Sequence, residues 1–341
     1  MWFEKLTGFR EESPQQVQQN LVVEGNLLTS TLNGRSFICG DLEMPRLSEL
    51  RKRVLSARLG MGKLSVREVV ANVQDLHCDP ANKESLFQVA SQFNLLEMAS
   101  PTATPELGID IYEHDHTQGP ACAVAAGAGT IYRNYFVPLE GQRGQTSERQ
   151  INCLADIGSE LDNRNNRLWK MSNGYALATE LGLEEIAERL EQCHDKEVDK
   201  LRQLLRIGLH WDTEVTLREC GHTVSQAYCS AFPVAYSEHS VPLWEPFARL
   251  ILEASYEATI CAAILNYART GNNRVYLTLV GGGVFGNRTE WIIDAIERSL
   301  NLYSHIGLDV VLVSYGQISP SVQDLIRRFN SSLSNEIGGF S

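Results

Sequence analysis

A cluster of glycines between an apolar run and an amphipathic segment constrains the fold of this chain most strongly. The run Val275 to Val280 is rich in β-formers and predicts a buried strand, and Thr289 to Leu300 has an apolar face and predicts a helix. The glycines of the turn between them are Gly281, Gly282, Gly283 and Gly286. A strand, a glycine loop and a helix in this order turn several backbone N–H groups toward one point. Such a loop can hold a phosphate or diphosphate without a lysine.

Three interpretations of this loop compete. A nucleotide-triphosphate P-loop needs Lys and then Ser or Thr, whereas Gly286 is followed by Asn287 and an arginine. The glycines also fit the GxGxxG pattern of a dinucleotide site, which wants an acidic residue at the end of the next strand. That strand, Leu308 to Val313, has its only acid, Asp309, near its start. An NAD-dependent oxidoreductase stays an alternative, and so does a turn without a ligand, although successive glycines cost backbone entropy that packing alone rarely requires.

The sequence GGGVFG at the end of a strand resembles the diphosphate-binding loop of macrodomains and of poly(ADP-ribose) glycohydrolases. In that family, glycine amides hold the two phosphates of ADP-ribose, and the loop's aromatic residue lies beside the ribose next to the scissile bond. The resemblance therefore implies an ADP-ribose site with Phe285 beside the distal ribose. The loop residues to which it assigns ligand binding are Gly281, Gly282, Gly283, Val284, Phe285, Gly286 and Asn287.

Composition limits the remaining function classes. The chain has 341 residues, of which 43% are hydrophobic, and a net charge of −12. This charge argues against general nucleic-acid binding, which relies on Lys and Arg. No apolar run approaches the length of a membrane helix, and the first residues do not form a signal peptide, so we expect a cytoplasmic protein. The eight cysteines include no CxxC pair, so we expect reduced thiols and no structural zinc.

A second informative stretch runs from Ser85 to Pro138. Val89 to Met98 predicts a central strand, and the prolines and glycine that follow predict a long loop. A polar cluster rich in acids and histidines comes next, from Asp110 to Gln118, and Ala121 to Arg133 predicts a helix of small residues. The polar cluster has two interpretations, a solvated surface loop or a catalytic loop.

The family comparison bears on this choice. Asn94 resembles the asparagine that ends the corresponding strand, and Gln118 and Gly119 resemble the start of the helix that follows the loop. The glycohydrolase signature is absent, because Gln118 is followed by Gly119 and Pro120 and not by two glutamates. The segments PELGI and DHTQGP are similar to MavL-type effector macrodomains. On that resemblance Asp115 is the first choice for the catalytic carboxylate. The other residues assigned to catalysis are Asp110, Glu106 and Gln118.

A carboxylate suits the reaction that the resemblance implies. Hydrolysis at C1 of the distal ribose passes through an oxocarbenium-like state, which a carboxylate stabilises while it takes a proton from water. His114 and His116 flank Asp115 and either assist the leaving group or face solvent, the second being favoured. The chemistry requires no cofactor. Magnesium held by these three residues is an alternative that their spacing supports poorly.

Together these patterns predict an α/β protein, a three-layer α/β/α sandwich with a mixed central sheet and added helices. We expect residues 1–84 to form strands and helices that pack on the core, among them a helix from Val66 to Val73. Residues 85–330 then form a macrodomain-like, ADP-ribose-binding domain with a helical insertion at about 180–206. The implied function is that of an ADP-ribosyl hydrolase acting on a modified protein, with ubiquitin among the candidate targets. A non-catalytic ADP-ribose reader and an NAD-dependent oxidoreductase are the alternatives.

Overall fold

A computed structural model describes residues 1–338 of the chain. Its strands are β1 Leu21–Glu24, β2 Leu27–Ser30, β3 Ser36–Ile38, β4 Asp41–Glu43, β5 Ser65–Val70, β6 Leu86–Ala90, β7 Pro138–Leu139, β8 Gln142–Arg143, β9 Trp169–Ser172, β10 Tyr175–Ala178, β11 Gly208–Glu214, β12 Thr223–Cys229, β13 Arg274–Leu277 and β14 Asp309–Ser314. Its helices are α1 Trp2–Thr7, α2 Pro14–Asn20, α3 Leu47–Ser56, α4 Val73–Cys78, α5 Gln118–Ala125, α6 Gly127–Ile131, α7 Ala155–Glu160, α8 Glu180–Gln192, α9 Asp195–Leu204, α10 Val241–Thr270, α11 Thr289–Leu302 and α12 Pro320–Gly338.

Seven strands form one central sheet in the order β4, β11, β12, β6, β13, β14, β5. The pairs β4–β11 and β11–β12 are antiparallel, and every pair from β12 to β5 is parallel. β6 and β12 are buried along nearly their whole length, as expected of strands that are covered on both faces. The predicted mixed central sheet is confirmed.

Helices cover both faces of this sheet. Alternate residues of a strand point to opposite faces, so β6 identifies the two layers. The ring of Phe87 stacks on His77 of α4, with ring centroids 3.9 Å apart. The next residue, Gln88, donates a hydrogen bond of 3.0 Å to Thr259 of α10 on the other side. α10 is also the helix against which α3, α8, α9 and α11 pack. The three-layer α/β/α sandwich is therefore confirmed, and α8 and α9 occupy the region of the predicted insertion.

The first 84 residues contribute to the central sheet itself. β4 and β5 form its two opposite edges, and β1, β2 and β3 form a separate small sheet. The helix predicted from Val66 to Val73 is wrong, because Ser65–Val70 is β5 and pairs in parallel with β14. Three of the residues from 65 to 70 are β-branched, and the partner strand lies more than 240 residues later in the chain. The domain boundary at residue 84 remains a prediction.

Strand β6 ends earlier than predicted. It stops at Ala90, and residues 91–98 form a compact turn, here called the β6 turn. The side chain of Gln92 closes this turn, because its Oε1 accepts a hydrogen bond of 2.8 Å from the N–H of Met98 and its Nε2 donates one of 3.2 Å to the carbonyl of Met98. Leu95 has a φ of 65°, in the left-handed region that a tight reversal requires. The chain therefore doubles back at the end of the central strand.

Candidate active site

Two adjoining cavities open at the carboxyl ends of the parallel strands β6, β13 and β14, where α/β sheets commonly bind ligands. The larger, here called the outer cavity, has a volume of about 1330 Å³. The smaller, the inner cavity, has a volume of about 230 Å³. The residues that line both cavities are Asp115, Thr117, Gln118, Thr278, Leu279 and Gly283. The loop after β13 and the start of α5 therefore form the boundary between them.

The glycine loop presents unoccupied hydrogen-bond donors at this boundary. It runs from residue 278 to 288, between β13 and α11. Within the described chain, no acceptor is recorded for the backbone amides of Gly281, Gly283, Val284 and Phe285. Gly281 has a φ of 77°, which the absence of a side chain permits. Four free amides beside the start of α11 form a site for an anion, because unpaired N–H groups and the helix dipole both favour negative charge.

Asn287 fixes the shape of the glycine loop. Its side-chain amide donates to the carbonyl of Phe232 at 2.8 Å and to that of Gly281 at 3.2 Å, and its backbone N–H donates to Gly281 at 2.9 Å. Asn287 is buried and lines neither cavity, so these hydrogen bonds hold the loop, and a contact between Asn287 and a ligand stays a prediction. Gly286 packs against Ala235, and a Cβ at Gly283 would meet nothing within 4 Å. Position 283 therefore faces open space in the cleft.

Aromatic rings line one side of the inner cavity. Phe285 lies 5.4 Å from the ring of Tyr175 and 5.8 Å from that of Tyr236, measured between centroids. The hydroxyl of Tyr175 donates a hydrogen bond of 2.6 Å to the carbonyl of Met98. The three rings thus join the glycine loop to the β6 turn. They give the inner cavity a rigid apolar side that restricts how a bound ring can lie.

Asp115 lies at the junction of the two cavities. Its Oδ1 accepts hydrogen bonds from the N–H and the hydroxyl of Thr117, at 2.9 and 2.7 Å. No partner for its Oδ2 is recorded among the described residues. Asp115 therefore has one oxygen that fixes its position and one that is free for a ligand. Its neighbour His116 also lines the outer cavity, whereas His114 is exposed and lines neither.

Gln118 and Gly119 join α5 to the central strand. The side chain of Gln118 accepts a hydrogen bond of 2.9 Å from the N–H of Ala90 and donates one of 2.8 Å to the carbonyl of Gln88. Because its amide is used in this way, Gln118 positions the loop although it also lines both cavities. Gly119 lines the inner cavity, and a Cβ there would lie 2.0 Å from the carbonyl oxygen of Ala90. Only glycine allows α5 to begin so close to β6.

Besides Gly286 and Asn287, three more predicted site residues line neither cavity. Asp110 accepts a hydrogen bond of 3.3 Å from the N–H of Phe3, and Glu106 accepts one of 2.7 Å from the N–H of Ser147. Asn94 is buried, and its side-chain amide donates to Gln150 at 2.9 Å. These positions do not fit the catalytic roles predicted for Asp110 and Glu106 or the ligand contact predicted for Asn94. Each side chain instead connects two segments of the chain.

Glu97 is a lining residue of the inner cavity that the sequence analysis missed. It is 4% exposed, and neither of its carboxyl oxygens has a hydrogen-bond partner. The guanidinium of the buried Arg133 lies 3.5 Å away. Burial raises the pKa of Glu97 to about 8, although the charge of Arg133 opposes this shift. The only signal in the sequence was a charged residue within the apolar run from Leu95 to Met98.

Residues 1–338 contain no group of three or more His, Cys, Asp and Glu side chains arranged to hold a metal ion, so the alternative at His114, Asp115 and His116 gains no support. All eight cysteines have free thiols. No helix among the described residues is both long and apolar enough to cross a membrane.

Comparison with solved structures returned poly(ADP-ribose) glycohydrolases. A structure of the enzyme from Deinococcus radiodurans in complex with ADP-ribose aligns with 95% of this chain and 99% of its own, at 11% identity and a TM-score of 0.44. The enzyme from Thermomonospora curvata bound to the inhibitor ADP-HPD aligns with 92% of this chain and 97% of its own, at 11% identity and a TM-score of 0.45. No protein-family model matches the sequence, and no curated protein matches it.

Proposed function

We propose that this chain is an ADP-ribosyl hydrolase, which removes ADP-ribose from a modified protein by hydrolysis at C1 of the distal ribose. The observation that carries the proposal is the set of four free amides at the boundary between a large and a small cavity. A diphosphate on these amides directs one end of ADP-ribose into each cavity. The adenosine occupies the outer cavity, and the distal ribose occupies the inner one beside Phe285.

In the proposed reaction, Asp115 acts at the distal ribose. Its free Oδ2 stabilises the positive charge that develops at C1 as the bond to the attached group breaks. The same carboxylate accepts a proton from the water that attacks C1. Support for this role comes from the position of Asp115 at the junction of the two cavities and from the two hydrogen bonds that hold its Oδ1. These steps use only groups of the chain itself.

An NAD-dependent oxidoreductase is less well supported. The acid that a dinucleotide site would need at the end of the next strand is absent, because β14 ends in Ser314. The only acid of β14, Asp309, instead pairs with Arg67 and Arg274, both at 3.0 Å. It is therefore engaged in ion pairs at the start of the strand and is not free to bind a ribose.

Calorimetric titration with ADP-ribose, NAD and ATP in parallel tests the binding part of the proposal. We expect ADP-ribose to bind more tightly than NAD or ATP. Tighter binding of NAD or ATP would contradict the proposal.

Release of ADP-ribose from modified proteins then distinguishes a hydrolase from a reader, because a reader binds ADP-ribose and releases none. Because PELGI and DHTQGP are similar to MavL-type effector macrodomains, ADP-ribosylated ubiquitin is one substrate to include in this assay. We also propose that the protein acts in the cytoplasm.

The aromatic side of the inner cavity provides a prediction about turnover. Replacing Phe285 with alanine removes a contact that limits how the ribose lies, without removing any backbone amide from the loop. We expect kcat to fall by about tenfold and ADP-ribose affinity to change less, because misorientation of the reacting carbon affects the chemical step most. Steady-state kinetics and calorimetry on the same preparation measure the two effects. Equal losses in both would make Phe285 a general binding contact.

A further inference from the structure

We infer that Glu97 is a second catalytic residue, the general acid that gives a proton to the leaving oxygen of the substrate. This inference rests on the proposed function and deepens it. It assigns a role to a buried carboxyl group that lies in the β6 turn, outside the polar loop from which the catalytic residues were predicted. The evidence is the position of Glu97, its lack of hydrogen-bond partners and the groups that surround it.

The position of Glu97 is fixed by the surrounding backbone. Its N–H donates a hydrogen bond of 3.1 Å to the hydroxyl of Tyr112, and the adjacent turn is closed by Gln92. A Cβ at Gly119 would lie 3.2 Å from Cγ of Glu97, so the side chain packs directly against the first turn of α5. The carboxyl group is thereby held at the wall of the inner cavity, on the side where Asp115 precedes α5.

The carboxyl group of Glu97 has an ion pair of 3.5 Å with Arg133 but no hydrogen-bond partner among the described residues. Both oxygens lack hydrogen-bond partners, and Nη1 of the neighbouring Arg133 lacks one as well. Leaving such groups unpaired away from water costs free energy unless something else uses them. A substrate oxygen in the inner cavity would supply the missing partner. The arrangement is therefore better explained by a ligand than by packing.

The groups around Glu97 favour its protonated form at neutral pH. Burial is the largest cause of its raised pKa, and the negative charge of Asp115 adds to it, whereas Arg133 acts in the opposite direction. The charged and titratable groups that face it are Arg133, Asp115, Tyr112, Cys122 and Tyr228. Only one of these, Arg133, carries a positive charge. A carboxyl group that keeps its proton beside an aspartate is arranged to donate that proton.

Glu97 transfers its proton to the oxygen of the attached group while the bond between that oxygen and C1 breaks, and the bonding electron pair goes to the oxygen. Asp115 stabilises the resulting charge at C1 until water attacks. The proton that water loses passes to Asp115 and then through solvent to Glu97. The reaction consumes one water molecule, releases ADP-ribose and the free alcohol, and restores both carboxyl groups.

Comparison of two linkages in a Glu97→Gln variant tests the inference. When ADP-ribose is attached to serine, the leaving group is the serine alkoxide, which needs a proton. When it is attached to glutamate, the leaving group is a carboxylate, which is a stable anion without one. We expect release from serine to fall by about 10²-fold and release from glutamate by less than about tenfold. ADP-ribose affinity should be retained, because the amide is isosteric with the protonated acid.

The pH dependence of the parent protein gives a second readout, which requires no variant. Since the protonated form of Glu97 is the active one, kcat/KM for the serine linkage should fall as the pH rises through the pKa of about 8. This falling limb should be absent in Glu97→Gln. Glu214→Gln is the matched control, because burial also raises the pKa of Glu214 and this residue lines neither cavity.

The outcomes separate this inference from the proposed function. If the parent releases ADP-ribose and Glu97→Gln releases it at the same rate from both linkages, the inference is wrong and the proposed function stands. Equal losses on both linkages, with a lowered melting temperature, would make Glu97 a structural residue and also overturn the inference. If the parent releases no ADP-ribose from any substrate, the proposed function fails and the role of Glu97 fails with it.

Discussion

Replacing Asp115 with asparagine should lower hydrolysis by about 10²-fold while ADP-ribose binding stays the same or improves. Asparagine keeps the oxygen that accepts both hydrogen bonds from Thr117, so the start of α5 is preserved. What it removes is the negative charge beside C1. Binding is expected to hold because the substrate diphosphate is itself negative and gains nothing from a nearby carboxylate. Single-turnover release of ADP-ribose, with calorimetry alongside, measures both quantities.

Two other carboxylates of the same loop serve as controls for Asp115. Asp110 bonds to the N–H of Phe3 and Glu106 to the N–H of Ser147, and neither lines a cavity. Asp110→Asn and Glu106→Gln should therefore hydrolyse at the parent rate, whatever they do to stability. A parent rate in Asp115→Asn, or a loss of similar size in either control, would contradict the assignment of Asp115.

Replacing Gly283 with glutamate should weaken ADP-ribose binding by at least tenfold, or about 1.4 kcal/mol. A Cβ at this position meets nothing within 4 Å, so the longer side chain enters the cleft without disturbing the loop. It brings a negative charge to the amides that are proposed to hold the diphosphate. Gly283→Ala should bind nearly as well as the parent, because it adds little bulk and no charge. Calorimetry on the three proteins measures the series.

Gly60 provides the matched control for this substitution. It is exposed, a Cβ there also meets nothing within 4 Å, and it lines neither cavity. Gly60→Glu adds the same charge to the protein at a distant position and should leave ADP-ribose affinity unchanged. Unchanged affinity in a folded Gly283→Glu variant would remove the glycine loop from the binding site.

The glycine loop could be predicted because its information is local. An apolar β-rich run, clustered glycines and an amphipathic segment lie within 27 residues, and each has a direct structural meaning. The predicted strand and helix correspond to β13 and α11.

The side-chain directions in the polar loop between β6 and α5 could not be predicted in the same way, because they depend on partners far away in the chain. Asp110 accepts a hydrogen bond from Phe3, more than 100 positions earlier, and its side chain lies outside both cavities. Asn94 donates one to Gln150, 56 positions later. Glu97 was overlooked because it lies among apolar neighbours that predict a continuous strand. Only the reversal of the chain at Leu95 brings its carboxyl group to the cavity.

The position of β4 and β5 at the two edges of the central sheet has a consequence for how the protein folds. β5 pairs with β14 and β4 pairs with β11, so each edge strand pairs with a strand more than 160 residues later in the chain. Contacts of such long sequence separation slow folding. Removal of residues 1–84 would remove both edge strands of the central sheet, so β11 and β14 would become the new edges with unpaired backbone groups. Exposed strand edges of this kind recruit other chains, so the shortened protein should self-associate.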